Sequence, residues 1–194
     1  MSIKRVFDAI AGRTRPEGSA ASGVSTAVRI LLHDAKLGQA HAQAALGDIY
    51  RKGSLVPKDD VEAVKWYRLA AEQGDAHAQF NLGASYTGGR GVPQDDAEAV
   101  KWYRRSAEQG DSLAQFNLGA MYCNGRGVQQ DYVRACMWFN VSASRGTQSA
   151  AASRDRILHL MTPMQIIEAR ELAREWKPAR PAPPAMRGEP ADRV

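Results

Sequence analysis

The sequence is poor in the residues that usually betray a chemistry. It has 2 cysteines, too few for a disulfide framework or a structural zinc site. It has 4 histidines, His33, His41, His77 and His159, and none stands in an H-E-x-x-H or comparable metal-ligating spacing. There is no G-x-S-x-G nucleophile elbow. Gly88-Gly89-Arg90-Gly91-Val92-Pro93 is glycine-rich but lacks the G-K-[ST] of a phosphate-binding loop. No apolar run approaches the roughly 20 residues that a membrane-spanning helix requires. Asp8 interrupts the apolar stretch of MSIKRVFDAI too early for a secretory signal. These absences predict no catalytic residues, no metal, no cofactor and no membrane insertion. They point to a cytoplasmic protein in which Cys123 and Cys136 are free thiols, although the two would approach each other across a helical hairpin.

Positive charge is in modest excess: 26 Lys and Arg against 21 Asp and Glu, a net of +5. Such an excess suits nucleic acid, but its distribution does not. Residues 42–149 hold 12 basic and 12 acidic side chains. The surplus sits in the flanks, at Lys4, Arg5, Arg13 and Arg15 and at Lys177, Arg180, Arg187 and Arg193. No stripe that would track phosphates is predicted, and hence no nucleic-acid partner.

Self-similarity is what the chain has in abundance. KWYRLAAEQGD at 65–75 returns as KWYRRSAEQGD at 101–111, and AQFNLGA at 78–84 returns at 114–120. Trp66, Trp102 and Trp138 are each 36 residues apart, as are Gly47, Gly83 and Gly119, and Tyr50, Tyr86 and Tyr122. The reading is a half repeat over 24–39 and full repeats over 40–75, 76–111 and 112–147. Residues 1–23 are expected to form a short helix and a linker, and 148–176 capping helices. Residues 177–194, which hold five of the 9 prolines, are expected to be a disordered tail.

Each copy reads as two helices. Asp75 is placed to cap one, and Ala78, Leu82 and Tyr86 then recur at four-residue spacing on one face. The glycine-rich turn ends that helix. Asp95, with Glu98 three residues on, opens the next in a capping-box-like arrangement, as do Asp59 and Glu62. Trp102, Tyr103 and Ser106 continue the apolar or small face, and the tryptophans are expected to be core. A glycine inside a helix costs about 1 kcal/mol relative to alanine. Gly47, Gly83 and Gly119 therefore predict close approach of the paired helix, with Ala63, Ala99 and Ala135 facing them. One hairpin cannot bury its apolar face alone, so the pairs must stack into a quasi-one-dimensional, all-α array with capped ends. Upstream, residues 25–37 fit the second-helix register, with Ile30 at the tryptophan position. Downstream, Thr162, Pro163 and Gln165 open a last helix running to Trp176.

The pattern A-x-x-x-L-G-x-x-Y, then G-x-G-V, then A-x-x-W-Y-x-x-A-A-E-x-G-D resembles the Sel-one-like repeat (SLR) family, relatives of tetratricopeptide repeats, over residues 27–149. Residues 154–176 resemble the closing segment of bacterial proteins of this type. The resemblance implies an α/α right-handed superhelix, a solenoid that serves as a non-enzymatic protein-interaction scaffold. Two positions depart from the pattern. Gly53-Ser54-Leu55-Val56 stands where later copies have G-R-G-V, and Arg134 stands where earlier copies have the capping Glu.

The resemblance also implies that the first helices line the concave side. With positions 78, 82 and 86 buried, positions 77, 81 and 84 lie roughly opposite at 100° per residue. The same columns in the other copies place His41, Asp48, His77, Asn81, Leu113 and Asn117 along a groove. The amides of Asn81 and Asn117 suit the backbone of an extended peptide, or else they bond within the array and only define the fold. The expected partner is a protein or peptide, bound extended or as a helix. The alternative reading is a small-molecule or cell-wall-fragment binding protein, or a hydrolase, using the same groove. Three further features stand apart. Arg90 and Arg126 lie near glycine amides. Ile3, Val6, Phe7 and Ile10 share a helical face, for docking a partner or touching an anionic membrane surface, or else they form a frayed end or a helix resting on the first repeat. Pro178, Pro181 and Pro184 keep a three-residue period.

Overall fold

A computed structural model describes the backbone of residues 19–179, and side chains from Val28 onward. The expected helix over 3–10 and the proline period beyond Ala179 lie outside the described residues. Within them, all regular structure is helical: α1 (Ser19–Lys36), α2 (Ala40–Lys52), α3 (Asp60–Glu72), α4 (Ala76–Gly88), α5 (Asp96–Glu108), α6 (Ser112–Asn124), α7 (Tyr132–Ser144), α8 (Gln148–Ile157), a 3₁₀ turn (Leu158–Leu160) and α9 (Pro163–Glu175). α1 begins at Ser19, inside the stretch read as linker. Each helix from α1 to α7 packs on the next one in the chain, and α9 lies across α7. The molecule is an α/α solenoid in which α2–α3, α4–α5 and α6–α7 are the three full hairpins.

Local chemistry sets the helix ends. Asp59 accepts from the amides of Val61 and Glu62, both at 3.0 Å, and Asp95 accepts from Ala97 at 2.9 Å and Glu98 at 3.0 Å. Asp75, Asp111 and Asp131 cap α4, α6 and α7 in the same way. The reciprocal half of the expected capping boxes is not made in α3 and α5. Glu62 and Glu98 turn instead to Lys65 and Lys101, one turn further on, where an ion pair is available. The complete box is at Thr162 and Gln165, with Pro163 at the first helical position.

Trp66, Trp102 and Trp138 are buried, as their repetition predicts. What lies closest to the helical glycines is an aromatic ring, and of the expected alanines only Ala135 comes near, its carbonyl 3.3 Å from a Cβ on Gly119. A Cβ on Gly47 would meet the Tyr67 ring at 2.5 Å, and one on Gly83 or Gly119 would meet Tyr103 or Phe139 at 2.8 Å. Adjacent residues on a helix point about 100° apart. The Trp-Tyr (or Trp-Phe) pair therefore spreads two rings, and the second lies against the glycine of its partner helix.

Neighbouring repeats are tied by a glutamine relay. Gln43 donates to the carbonyl of Ala35 at 3.1 Å and accepts from Gln73 at 2.7 Å; Gln79 donates to Ala71 at 3.0 Å and accepts from Gln109 at 2.8 Å. Each relay joins three consecutive helices. In the last copy Arg145 replaces the second glutamine. It donates to the Gly110 carbonyl and stacks over Trp176, and Gln115 Oε1 stays buried without a partner. Trp176, just past α9, meets Trp138 edge-on with centroids 6.0 Å apart.

The second glycine of the G-R-G-V turn has a packing reason. Gly91 and Gly127 have φ of +73° and +64°, and a Cβ on them would lie 2.0 and 2.1 Å from the carbonyl oxygens of Asp60 and Asp96. The turn thus rests on the backbone that opens the second helix of the preceding repeat. The first copy has Leu55 at this position, exposed and not in the left-handed region, so its turn takes another shape.

Candidate functional site

The first helices of the hairpins present one face to the core and leave other positions exposed. His41, His77 and Leu113, at equivalent positions of α2, α4 and α6, are exposed. Asp48 and Asn117 are half-buried, and Asn81 is buried. The structure brings three of the six together. Asp48 Oδ2 lies 3.1 Å from His77 Nε2, and Asn81 Nδ2 lies 3.0 Å from the same nitrogen. His41, Leu113 and Asn117 have no hydrogen bond to this cluster.

Two residues that the sequence reading did not assign to the site complete the cluster. The Tyr67 hydroxyl donates to Asp48 Oδ1 at 2.6 Å, and Arg51 Nε donates to the same hydroxyl at 3.0 Å. Arg51 Nη2 also approaches Asp48 Oδ1 at 3.5 Å. Asp48 therefore joins both helices of the first hairpin to the opening of the second. Partial burial works against its charged form. Hydrogen bonds from Tyr67 and His77, and the charges of His77 and Lys52, outweigh that and hold the carboxyl below its ordinary value. Burial, and then the bond to Asp48, push the Tyr67 phenol upward.

The direction of the bond at His77 Nε2 follows from the network. An ionised Asp48 only accepts, so His77 Nε2 carries the proton that faces it. Asn81 then has no acceptor at that nitrogen, and its amide hydrogen goes to the His77 carbonyl at 3.0 Å. Asn81 is thus engaged within its own helix, the second of the two roles the sequence left open.

A signal for Tyr67 and Arg51 lies in the repeats themselves. Where the first copy has Asp48, Arg51 and Tyr67, the second has Ala84, Thr87 and Tyr103, and the third has Ala120, Cys123 and Phe139. The aspartate and the arginine are lost together in the second copy, and the tyrosine persists there and becomes phenylalanine only in the third. Thr87 lies 3.3 Å from the Tyr103 hydroxyl. In the third copy the hydroxyl and its partner are both gone. Along the array the face passes from charged, through neutral polar, to apolar.

Other candidates are occupied or chemically quiet. Arg126 makes a two-pronged contact with Asp96, at 2.7 and 3.0 Å, across the repeat boundary, so its guanidinium is held by a carboxylate. Cys123 and Cys136 are free, and burial raises both thiols, which lowers their thiolate fraction. Among the described residues, no group of three or more His, Cys, Asp or Glu converges as metal ligands would, and no helix is long and apolar enough to cross a membrane. A cleft of about 330 Å³ between α7 and α9 is lined by Asn140, Val141, Ser144, Arg170, Ala173 and Arg174.

Comparison with known proteins agrees with the repeat register. The Sel1 repeat model matches residues 40–75, 76–111 and 112–147. No curated protein sequence matches the chain significantly. Among solved structures, one similar molecule is c5321, a protective antigen present in uropathogenic Escherichia coli strains and displaying an SLR fold. It is 36% identical over 77% of this chain and 32% of its own, with a TM-score of 0.71, so this chain spans about a third of that protein's length. Another is a Sel1 repeat protein from Oxalobacter formigenes, 36% identical over 66% of this chain and 97% of its own, with a TM-score of 0.62.

Proposed function

The chain belongs to the Sel1 repeat family, whose members are generally protein-interaction scaffolds, and on that premise we propose that it is a non-enzymatic scaffold binding a partner protein or peptide along the first-helix face. The recognition residues in this reading are His41, Asp48, His77, Asn81, Leu113 and Asn117. His77 and Asp48 act as a fixed polar pair, and Asn81 acts by holding the helix that carries His77.

The observation that carries the reading is the column His41, His77 and Leu113. It puts one exposed side chain from each full repeat on the face that the core leaves free. The passage from charged to apolar along the array gives an extended ligand a direction.

The test is to pan a random peptide display library on the intact chain and to measure the best selected peptide by fluorescence anisotropy. Affinity should fall about tenfold or more in His77→Ala and in Leu113→Asp, each checked for folding by circular dichroism. It should not change in Lys65→Ala on the second-helix surface. A selected peptide that binds all three variants with wild-type affinity overturns the assignment. So does a library that yields no binder.

A further inference from the structure

The chain does not leave the array where α9 ends. Trp176, the next residue, meets Trp138 of α7, and Arg145 Cζ lies 5.4 Å from the centroid of its ring. Three residues on, the Ala179 amide donates to the carbonyl of Glu108, the last residue of α5, at 2.7 Å. The segment thus passes from α7 back to α5, against the order of the repeats.

A helix end leaves carbonyls without donors of its own helix. The ends of α3 and α5 fill theirs alike up to the last residue. Ala70 accepts from the amides of Gln73 and Asp75, and Ser106 from those of Gln109 and Asp111. Ala71 and Ala107 each accept one amide and one glutamine side chain. The ends then differ. The Glu108 carbonyl has the Ala179 amide, and the Glu72 carbonyl has no donor among the described residues. The glycine that follows differs as well. A Cβ on Gly110 would meet Arg145 at 3.2 Å, and one on Gly74 would meet nothing within 4 Å. The two corners adjoin, since Ser106 Oγ of α5 donates at 2.8 Å to the carbonyl of Ala76, four residues past Glu72.

The sequence repeats the step that covers the α5 corner. Pro178-Ala179 returns three residues later as Pro181-Ala182. A polyproline II backbone has three residues per turn, so Ala182 turns its amide to the same side as Ala179. Pro181 and Pro183 on either side of Ala182 favour that backbone. Charge agrees. Residues 177–185 hold Lys177 and Arg180 and no acidic residue. Glu72 and Glu108 are exposed and enter no ion pair among the described residues. Each also stands at the negative end of a helix dipole.

We propose that the carbonyl end of α3 is the docking site of this chain's own segment Arg180-Pro181-Ala182, with the Ala182 amide on the Glu72 carbonyl and the Arg180 guanidinium beside Glu72 and Glu108. The occupant follows from the course of the chain, which is already seated on α5 and directed toward α3. Composition gives these residues no core of their own, and backbone bonds to helix ends need none. In a solenoid each repeat touches only its neighbours. A strap from α9 over α5 to α3 adds a tie that skips them. The inference does not depend on a partner at the first-helix face.

The experiment is NMR on the isotope-labelled full chain, with Ala182→Pro as the variant. Proline keeps the extended backbone and removes the amide, and circular dichroism checks that the array folds. In the wild type the Ala182 amide should exchange with solvent at least about tenfold more slowly than in a synthetic peptide of residues 177–194. The rate should be the same in dilute and concentrated samples. In Ala182→Pro the amide signal of Gln73, which shares a peptide group with the Glu72 carbonyl, should shift. Exchange of Ala182 at the rate of the free peptide overturns the proposal, and so does an unmoved Gln73 signal. Protection that grows with protein concentration assigns the segment to a second copy and overturns it too.

Discussion

Tyr67 donates its hydroxyl hydrogen to Asp48 across the first hairpin at 2.6 Å, and neither later hairpin can make this bond, because Ala84 and Ala120 stand where Asp48 does. The same tyrosine lies with its ring against Gly47. One side chain thus closes the helix pair with its face and fastens it with its tip. Tyr67→Phe keeps the ring and removes the tip. It should lower stability by about 1–2 kcal/mol, read from urea denaturation, the low end of a charge-assisted bond because the site is only partly buried.

The same pair sets a pH dependence. The folded state holds Asp48 below its ordinary value of 3.8. The stabilisation is therefore fully present above the unfolded value and is lost as pH falls through the lowered folded value. Thermal melts at neutral pH and at about pH 3 should show a larger loss for the wild type than for Asp48→Asn, which has no carboxyl to protonate. Equal losses would mean that the Asp48 network contributes nothing to folding.

Gly83→Ala should destabilise although alanine is the better helix former. The propensity gain is about 1 kcal/mol. The new Cβ would sit 2.8 Å from the Tyr103 ring, and overpacking of this kind costs about 1–3 kcal/mol. A shorter side chain at 103 relieves the overlap, so the loss in Gly83→Ala/Tyr103→Leu should be smaller than the sum of the two single losses. Strict additivity in a double-mutant cycle would count against the ring-on-glycine contact.

The turn glycines should behave differently from their counterpart in the first copy. Gly127→Ala forces a Cβ to 2.1 Å from the Asp96 carbonyl at a φ of +64°, and nothing there is a flexible side chain that can move aside. A loss above about 2 kcal/mol is expected. Leu55→Gly, at the matching exposed position, should stay within about 1 kcal/mol, the entropy of one glycine. Denaturation midpoints of the two variants decide it.

The thiols should react slowly and in order. Burial raises both, and Cys136 is the more buried. With a thiol-specific chromogenic reagent at neutral pH, the folded protein should release colour slowly from Cys123 first. Cys136 should follow only on addition of denaturant. Rapid release of two equivalents from the native protein would show that the last hairpin opens readily.

Much of the architecture was legible because it is written several times over. A repeat of 36 residues makes the chain its own alignment. The aspartate caps, the glycine-ended first helices and the buried tryptophans each depend on neighbours a few residues away, so composition and spacing suffice to find them. Less of the candidate site could be read. The column His41, His77 and Leu113 is a matter of helical periodicity, and those residues are exposed.

The meeting of Asp48 with His77, the aromatic ring as the nearest group against each glycine, and the engagement of Asn81 within its own helix were decided by tertiary structure. So was the passage of α9 across α7. These depend on how deeply two helices sink into each other and on which of several donors reaches an acceptor first. A change of about an ångström in helix separation redistributes such contacts and leaves the periodicity of the chain unchanged.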